Sequence, residues 1–366
     1  MPKKKIYWIA LVPVLGVAAY LGLWPVPITP LAWQAPAAPG YVGIHQANTR
    51  LQGARTIDLN GEAGPEHVAV GPDGMLYMGV TSGRVLRMRP DGSGQQVFAI
   101  TGGRPLGIAF DAAGKLIVAD AIKGLLSIGT DGRVDLLADR AANAALRFVD
   151  AVVIASNGKI YFSDASMRFG PAQWGSTLEA AMLDIFEQSS TGRVLEYDPS
   201  SKIVRIVVSG LSFANGLALS ADESSLFVSE SGKYRVWKFA VTADRLDVAQ
   251  PSAQATVVLD NLPGYPDNLM RGLDGKLWLG LAGPRNELDA MAQRPFLRQL
   301  ALRIPRAFWS KPKPYGHVMA FAENGTVLAD LQDPGGSSPL TTGVTETAGR
   351  LYIHNADGKG LGWLPR

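Results

Sequence analysis

A tight turn followed by a short apolar strand recurs six times along the 366 residues of the chain. A unit of roughly 40 to 50 residues repeated in this way is typical of a β-propeller, in which each unit forms one blade. We therefore predict an all-β fold, a six-bladed β-propeller. The turns are Asp73-Gly74, Ala113-Gly114, Asn157-Gly158, Asp222-Glu223, Asp274-Gly275 and Ala348-Gly349.

The same repeat places oxygen-bearing side chains at one offset from the turns. Equivalent positions of the blades lie at the same height around the axis, so these side chains are expected to converge. Three carboxylates in a narrow channel repel one another unless their pKa values rise or a cation binds between them. The repeat therefore predicts a metal site. Eight residues before the second residue of each turn lie Glu66, Leu106, Asp150, Asn215, Asp267 and Thr341.

The predicted ligands Glu66, Asp150, Asn215 and Asp267 offer only oxygen atoms. Such ligands favour calcium or magnesium over zinc or copper. A carbonyl group of a substrate could take an open position on the ion and be polarised. We assign the role of general base or nucleophile first to Asp267 and second to Asp150. Two alternatives remain. In the first, these residues only accept backbone hydrogen bonds. In the second, the axis holds no metal and its carboxylates are protonated.

Composition excludes several classes of function. The formal net charge is only +3 and the basic residues are scattered, so we expect no nucleic-acid partner. The chain has no cysteine, which excludes disulfides and a thiol nucleophile. A Gly-x-Ser-x-Gly motif is missing as well, which argues against a serine hydrolase.

The N-terminus has the pattern of a membrane anchor. Lys3, Lys4 and Lys5 precede an uncharged stretch from Ile6 to Trp24 that is long enough to cross a bilayer as a helix. We predict a transmembrane signal-anchor over residues 1–24, a linker over 25–53 and the propeller over 54–366, in the periplasm or another extracytoplasmic space. The alternative is a cleavable signal peptide.

Two insertions interrupt the repeat. The first, Met167 to Ser190, contains a segment with helical spacing from Leu178 to Phe186. The second, Pro284 to Tyr315, contains an amphipathic basic stretch, 288–303, in which Pro295 should kink or restart the helix. This stretch could rest on a membrane surface, cap the mouth of the site or pack on the propeller rim.

Six further motifs stand along the blades, namely Arg104 to Ile108, Val118 to Leu126, Tyr161 to Ser166, Thr191 to Pro199, Ala214 to Leu219 and Leu262 to Asn268. Together they resemble a known family, the strictosidine synthase-like and adipocyte plasma-membrane-associated protein-like group of the gluconolactonase–paraoxonase superfamily. This resemblance implies a six-bladed propeller with catalytic calcium at its axis. It matches Glu66, Asn215 and Asp267 to ligand positions, and places Asp150 where many members have Asn.

One departure from the family bears on the reaction. Plant strictosidine synthases use a glutamate on the sixth blade, whereas the stretch that resembles it here is Thr341-Thr342-Gly343. A calcium-dependent hydrolase of small-molecule esters or lactones, of the arylesterase or lactonase type, is therefore favoured over a condensing enzyme. A non-catalytic propeller that binds a ligand or serves as a scaffold is the alternative from another class.

Other polar residues are expected to be structural. His67 should point to the opposite side of its strand from Glu66. His317 could carry a proton at the mouth or be structural, and His45 and His354 suggest no role. Three acidic residues at strand ends are predicted to accept hydrogen bonds, namely Asp120, Asp164 and Glu230.

Overall fold

The structure, a computed structural model, describes residues 3–309 and 313–366. It contains six sheets that are each built on four antiparallel strands, and each sheet forms one blade. This confirms the predicted six-bladed propeller. The strands of blades 1 to 3 are, from the axis outwards, Val68–Val70, Leu76–Gly79, Arg84–Met88 and Gln96–Ile100; Pro105–Phe110, Leu116–Asp120, Gly124–Ile128 and Val134–Ala138; Val149–Ile154, Ile160–Asp164, Gly192–Asp198 and Ile203–Leu211.

Blades 4 to 6 repeat this pattern. Blade 3 also carries a short fifth strand, Leu246–Asp247, which pairs parallel with its fourth strand. A two-stranded hairpin, Arg140–Ala141 with Ala144–Ala145, precedes the first strand of blade 3 in the sequence. The strands of blades 4 to 6 are Ala214–Leu219, Ser225–Glu230, Arg235–Ala240 and Ala255–Leu259; Gly264–Arg271, Leu277–Pro284, Gly316–Phe321 and Val327–Asp333; Thr341–Glu346, Arg350–Asn355, Gly360–Pro365 and Arg55–Asp58.

The two ends of the propeller close on each other in blade 6. The outermost strand of that blade is Arg55–Asp58, which pairs antiparallel with Gly360–Pro365, with Arg55 opposite Trp363. This confirms the expectation that a strand beginning at Arg55 completes the sixth blade. The innermost strands of successive blades contact one another around the ring, including those of blades 6 and 1. Closure leaves no open edge between the first and last blades.

Apolar side chains fill the space between neighbouring blades. The second strands of the blades are buried on both faces, as in Leu116–Asp120 and Ile160–Asp164, because each blade packs between two others. Between blades 1 and 2 the ring of Tyr77 lies edge-on to Phe98 and Phe110, with centroids 5.1 and 4.9 Å apart. Burial of such faces stabilises the ring as a whole.

Helix α1 (Lys3–Leu23) lies at the N-terminus, and the described residues of the insertions form three further helices and two of the four 3-10 turns. Helices α2 (Pro171–Trp174) and α3 (Thr177–Glu187) lie in the first insertion, and Ser176 caps α3 by accepting from Glu179 N at 3.1 Å. The helix predicted over 178–186 is thus present. In the second insertion Pro295 begins a new helix, α4 (Pro295–Arg303), because proline fits the first turn. The 3-10 turns are Gly43–His45, Ser231–Lys233, Asp289–Met291 and Arg306–Phe308.

The N-terminal segment begins with a helix of 21 residues, Lys3–Leu23, which contains Pro13. Within the residues that the structure describes, no helix is long and apolar enough to cross a membrane. The segment 25–53, interpreted from sequence as a linker, packs on the propeller. Leu51 N donates to Gln332 O of blade 5 at 3.0 Å, and Leu31 N donates to Glu187 O of the first insertion at 2.8 Å. The second insertion contacts the N-terminal part as well, since Arg303 Nε donates to Trp24 O at 2.6 Å.

Candidate metal centre and active site

The four predicted ligands lie at the beginning of innermost strands in blades 1, 3, 4 and 5. Glu66 lies two residues before the strand of blade 1, and Asp150, Asn215 and Asp267 lie within the first four residues of theirs. All four are buried, with exposed fractions between 2% and 7%. Their chain positions follow from the repeat, since the loop from the previous blade enters the axis at the same height each time.

Burial and mutual repulsion raise the pKa values of the axial carboxyl groups. The pKa of Asp267 lies well above its ordinary range because of burial first and the charges of Glu66 and Asp150 next. That of Asp150 is also well above its range, through burial and the charge of Glu66. Since each group affects the others, the structure brings the three carboxyl groups into one electrostatic unit.

Three oxygens of this site have no hydrogen-bond partner among the residues that the structure describes. They are the Oδ1 atoms of Asp150, Asn215 and Asp267, all of them buried. A buried oxygen without a partner costs about 1–3 kcal/mol, so three at one place indicate a missing ligand. Oxygen atoms from two carboxylates and an amide suit a hard cation such as calcium.

The axial carboxylates are spaced more widely than a compact ligand set. Among the described residues they do not belong to a set of His, Asp and Glu ligand atoms that all lie within 4.8 Å of one another. The fit to calcium therefore rests on the oxygen ligands and on the raised pKa values of Asp150 and Asp267.

Arg104 is part of the site, although the sequence repeat did not single it out as a site residue. Its Nη2 donates to Glu66 Oε2 at 3.0 Å and to Gly64 O at 3.1 Å, and the side chain is buried. Burial raises the pKa of Glu66, and the charge of Arg104 lowers it in part. Three carboxylates and one guanidinium leave two uncompensated negative charges when all are ionised, which one divalent cation would balance.

Serine hydroxyls fix the backbone of two ligands from the neighbouring blade. Ser163 Oγ donates to Asn215 O at 2.7 Å and accepts from Ala151 N at 2.9 Å. Ser229 Oγ repeats this arrangement one blade further, with Asp267 O at 2.5 Å and Gly216 N at 2.7 Å. Each serine precedes the acidic residue that ends its strand, a repeated Ser-Asp or Ser-Glu pair that the sequence shows.

The backbone of Glu66 is held in a similar way from blades 5 and 6. Asn268 Nδ2 and Thr342 Oγ1 both donate to Glu66 O, at 2.9 and 2.8 Å. Thr341 is fully buried and bonds to the backbone of His317 and to Leu281 O. The stretch Thr341–Thr342, which resembles the position of the synthase glutamate, thus links blade 6 to its neighbours by hydrogen bonds.

The acidic residues at the strand ends accept hydrogen bonds, as predicted. Asp120 Oδ1 accepts from Arg104 N at 3.0 Å, and Asp164 Oδ1 accepts from Phe148 N at 2.9 Å. Glu230 accepts from Ser212 N at 2.8 Å. In each case the donor lies two or three residues before an axial position, so these acids fix the loops that enter the site.

Apolar groups close the side of the site near Leu106. Leu106 packs in a buried cluster with Phe148 and Phe213, and Leu183 of α3 and Ile28 of the N-terminal segment cover it. A separate surface cleft of about 750 Å³ lies at the outer edge of blades 6 and 1, lined by residues such as Arg55, Asp58, Asn60, Asp91 and Trp363, and none of the axial ligands lines it.

The histidines lie in two buried groups. The rings of His67 and His354 stack with centroids 5.8 Å apart, and burial lowers the pKa of His67 to about 4. His317 and His45, by contrast, both contact Asp330. The sequence did not predict that His45 contacts blade 5.

Comparison with known proteins identifies the family. The model for the N-terminal part of strictosidine synthase-like proteins matches residues 43–88, and the strictosidine synthase model matches residues 150–244. Strictosidine synthase-like protein 7 of Arabidopsis thaliana is 35% identical over 285 residues, which cover 76% of this chain and 70% of the plant protein. The chain belongs to the strictosidine synthase-like family. The resemblance inferred from the motifs is confirmed.

A second relative in this family comes from animals. The adipocyte plasma membrane-associated protein of Bos taurus is 30% identical over 369 residues, which cover 93% of this chain and 85% of the bovine protein. The match to this relative thus extends over nearly the whole length of the chain.

Solved structures share the propeller fold. A gluconolactonase of Xanthomonas campestris superposes with a TM-score of 0.61 and 21% identity, covering 93% of this chain and 98% of that protein. Regucalcin of Agrobacterium tumefaciens, a calcium-binding protein, superposes with a TM-score of 0.57 and 13% identity, covering 85% and 92%. At these identities the likeness shows the fold alone.

Proposed function

We propose that the protein is a calcium-dependent hydrolase of small esters or lactones. The observation that carries the proposal is the set of partnerless, buried Oδ1 atoms of Asp150, Asn215 and Asp267 in one electrostatic unit with Glu66. These four residues would hold the ion. Bound calcium supplies a Lewis acid that polarises the substrate carbonyl and keeps nearby carboxylates ionised.

The residues of the site have distinct roles in this proposal. Asp267 accepts a proton from the water that adds to the carbonyl carbon, and this proton passes to the departing alkoxide as the ester C–O bond breaks. In the nucleophilic variant the Asp267 carboxylate adds to the carbonyl, the alkoxide leaves with a proton from water, and the resulting hydroxide hydrolyses the acyl-enzyme. Asp150 is the second choice for this role. Asn215 donates to Asp267, which orients that carboxylate. The apolar cluster around Leu106 and Phe213 excludes water from the substrate side.

Two other functions are less well supported. A condensing enzyme would need an acid on blade 6, but Thr341 and Thr342 are tied to neighbouring backbone. The nearest carboxylate in sequence, Glu346, is engaged by Lys276 and Trp278 instead. A binding or scaffold propeller would keep the metal for stability alone, and only turnover distinguishes it from an enzyme.

Turnover of phenyl acetate and of small lactones tests the proposal. The purified chain should contain about one calcium ion, lose turnover on chelation and regain it with calcium. Asp267→Asn should lower kcat by at least about 100-fold while circular dichroism stays unchanged. The exposed Asp135→Asn serves as control. The proposal fails if the protein holds no divalent ion and turnover survives both chelation and Asp267→Asn.

We also propose that the chain is anchored in a membrane by its first 24 residues, with the propeller on the extracytoplasmic side. The uncharged stretch after Lys5 supports this, as does the similarity to a protein named as plasma membrane-associated. Expressed in bacteria, the chain should stay in membranes after carbonate washing, and external protease should digest the propeller in spheroplasts. Release by carbonate would contradict the anchor.

A further inference from the structure

A second cluster of ligand-type side chains lies on blade 5, away from the axial carboxylates. Its centre is Asp330, in the outermost strand of the blade. Asp330 Oδ2 contacts His45 Nδ1 at 2.8 Å and His317 Nε2 at 2.9 Å. The three ligand atoms all lie within 4.8 Å of one another, and all three residues are at most 7% exposed.

We propose that His45, His317 and Asp330 form a site for a transition-metal ion of the zinc type. Zinc binds histidine nitrogen at about 2.0–2.1 Å and carboxylate oxygen at about 2.0–2.2 Å, which places neighbouring ligands about 3 Å apart. The observed contacts of 2.8 and 2.9 Å are close to that spacing. Two imidazoles and one carboxylate favour zinc, cobalt or iron over calcium.

The surroundings orient the carboxylate as an outer coordination shell would. Asp330 Oδ1 accepts from Gln332 Nε2 at 2.5 Å and from Asn48 Nδ2 at 3.3 Å, which turns Oδ2 towards the two histidines. Gln332 in turn accepts from Tyr315 OH at 2.6 Å. Such hydrogen bonds to a ligating carboxylate fix its geometry and raise metal affinity.

The histidines are also prepared for metal binding. The ring of Tyr41 lies against Tyr315 and His317, with centroids 4.4 and 5.7 Å away, and shields the cluster from water. His317 presents Nε2 to Asp330 Oδ2 at 2.9 Å, and within the described residues its Nδ1 has no hydrogen-bond partner. Nε2 is therefore the ring atom that faces the proposed ion.

An ion at this cluster would tie the N-terminal segment to blade 5. His45 belongs to that segment, and residues around it already bond to the same strand. Leu51 N donates to Gln332 O at 3.0 Å, and Gln332 N donates to Asn48 Oδ1 at 3.0 Å. The metal would replace the protons that otherwise lie between the histidines and Asp330.

Two variants distinguish metal binding from hydrogen bonding. Asparagine places an N–H where His45 has Nδ1, and glutamine places one where His317 has Nε2. His45→Asn and His317→Gln therefore keep a donor to Asp330 but lose a metal ligand. Asp267→Asn is the matched control, since it changes only the axial site.

The full chain, without a histidine tag and in mild detergent, is stripped with chelator and titrated with Co²⁺. We expect visible d–d absorption that saturates at one equivalent, and a thermal midpoint that rises with Zn²⁺. Both responses should be lost in His45→Asn and His317→Gln and kept in Asp267→Asn. The inference is overturned if the wild type shows neither response, or if both variants retain them. The outcome is independent of calcium binding and of esterase activity.

Discussion

Arg104 Nη2 donates to Glu66 Oε2 at 3.0 Å, so a cation of the protein itself contacts one of the four proposed calcium ligands. Both side chains are buried, with 7% and 9% of their surface exposed. Arg104 also lowers the pKa of Asp150 in part, but one guanidinium does not balance three carboxylates, and a divalent ion would complete the balance.

Replacing Arg104 by methionine should therefore make the protein more dependent on calcium. Breaking a buried ion pair costs about 3–5 kcal/mol because the remaining charge has no partner. We expect Arg104→Met to lower the free energy of unfolding by this amount without calcium, and saturating calcium to offset much of the loss. Denaturant unfolding with and without calcium measures both values. Arg133→Met, at an exposed ion pair, is the control. An equal loss in both conditions would contradict the role of the pair.

The serine bridges should contribute to both stability and calcium affinity. Ser163→Ala leaves Asn215 O and Ala151 N without their partner, which costs about 1–3 kcal/mol. Since the backbone of Asn215 is then less well fixed, calcium affinity should fall as well. Calorimetric titration measures the affinity, and Ser93→Ala on the surface should change neither quantity. Unchanged stability in Ser163→Ala would show that water replaces the hydroxyl.

Gly216 permits a close approach of two innermost strands beside the site. A Cβ atom there would lie 2.3 Å from Leu269 N and 2.5 Å from Asp267 O, too close for any ordinary contact. Gly216→Ala should push the strand that carries Asp267 outwards and cost about 1–3 kcal/mol or more. Gly283→Ala is the matched control, because its added Cβ meets nothing within 4 Å. Thermal unfolding of both variants, with and without calcium, tests the difference.

The sequence could predict what is local and repeated. The turn and strand signals give the blades, and the closing strand from Arg55 follows from the need to pair the last blade. The sequence did not predict Arg104 as a site residue, because Arg104 does not lie at the eight-residue offset from a turn. His45 and Asp330 are 285 residues apart in the sequence, so no local sequence pattern predicts their contact. The packing of segment 25–53 likewise depends on the two insertions, and the sequence pattern does not predict where these insertions lie in space.

Asp184, on the buried face of α3, should make stability depend on pH. Burial raises its pKa to about 7, and the Ser166 hydroxyl offsets only part of this. Between about pH 4 and pH 7 the folded protein holds a proton that the unfolded chain releases, so stability falls as pH rises through this window. The loss from this group reaches as much as about 4 kcal/mol at pH 8.

Asp184→Asn removes this titration without changing the shape of the side chain. The variant should be more stable than the wild type at pH 8 and similar to it at pH 4.5, where the wild-type carboxyl group keeps its proton in the folded state. Denaturant unfolding across this range measures the difference, with the exposed Asp135→Asn as control. If the stabilisation is the same at both pH values, the effect arises from packing, and Asp184 is ionised in the folded protein.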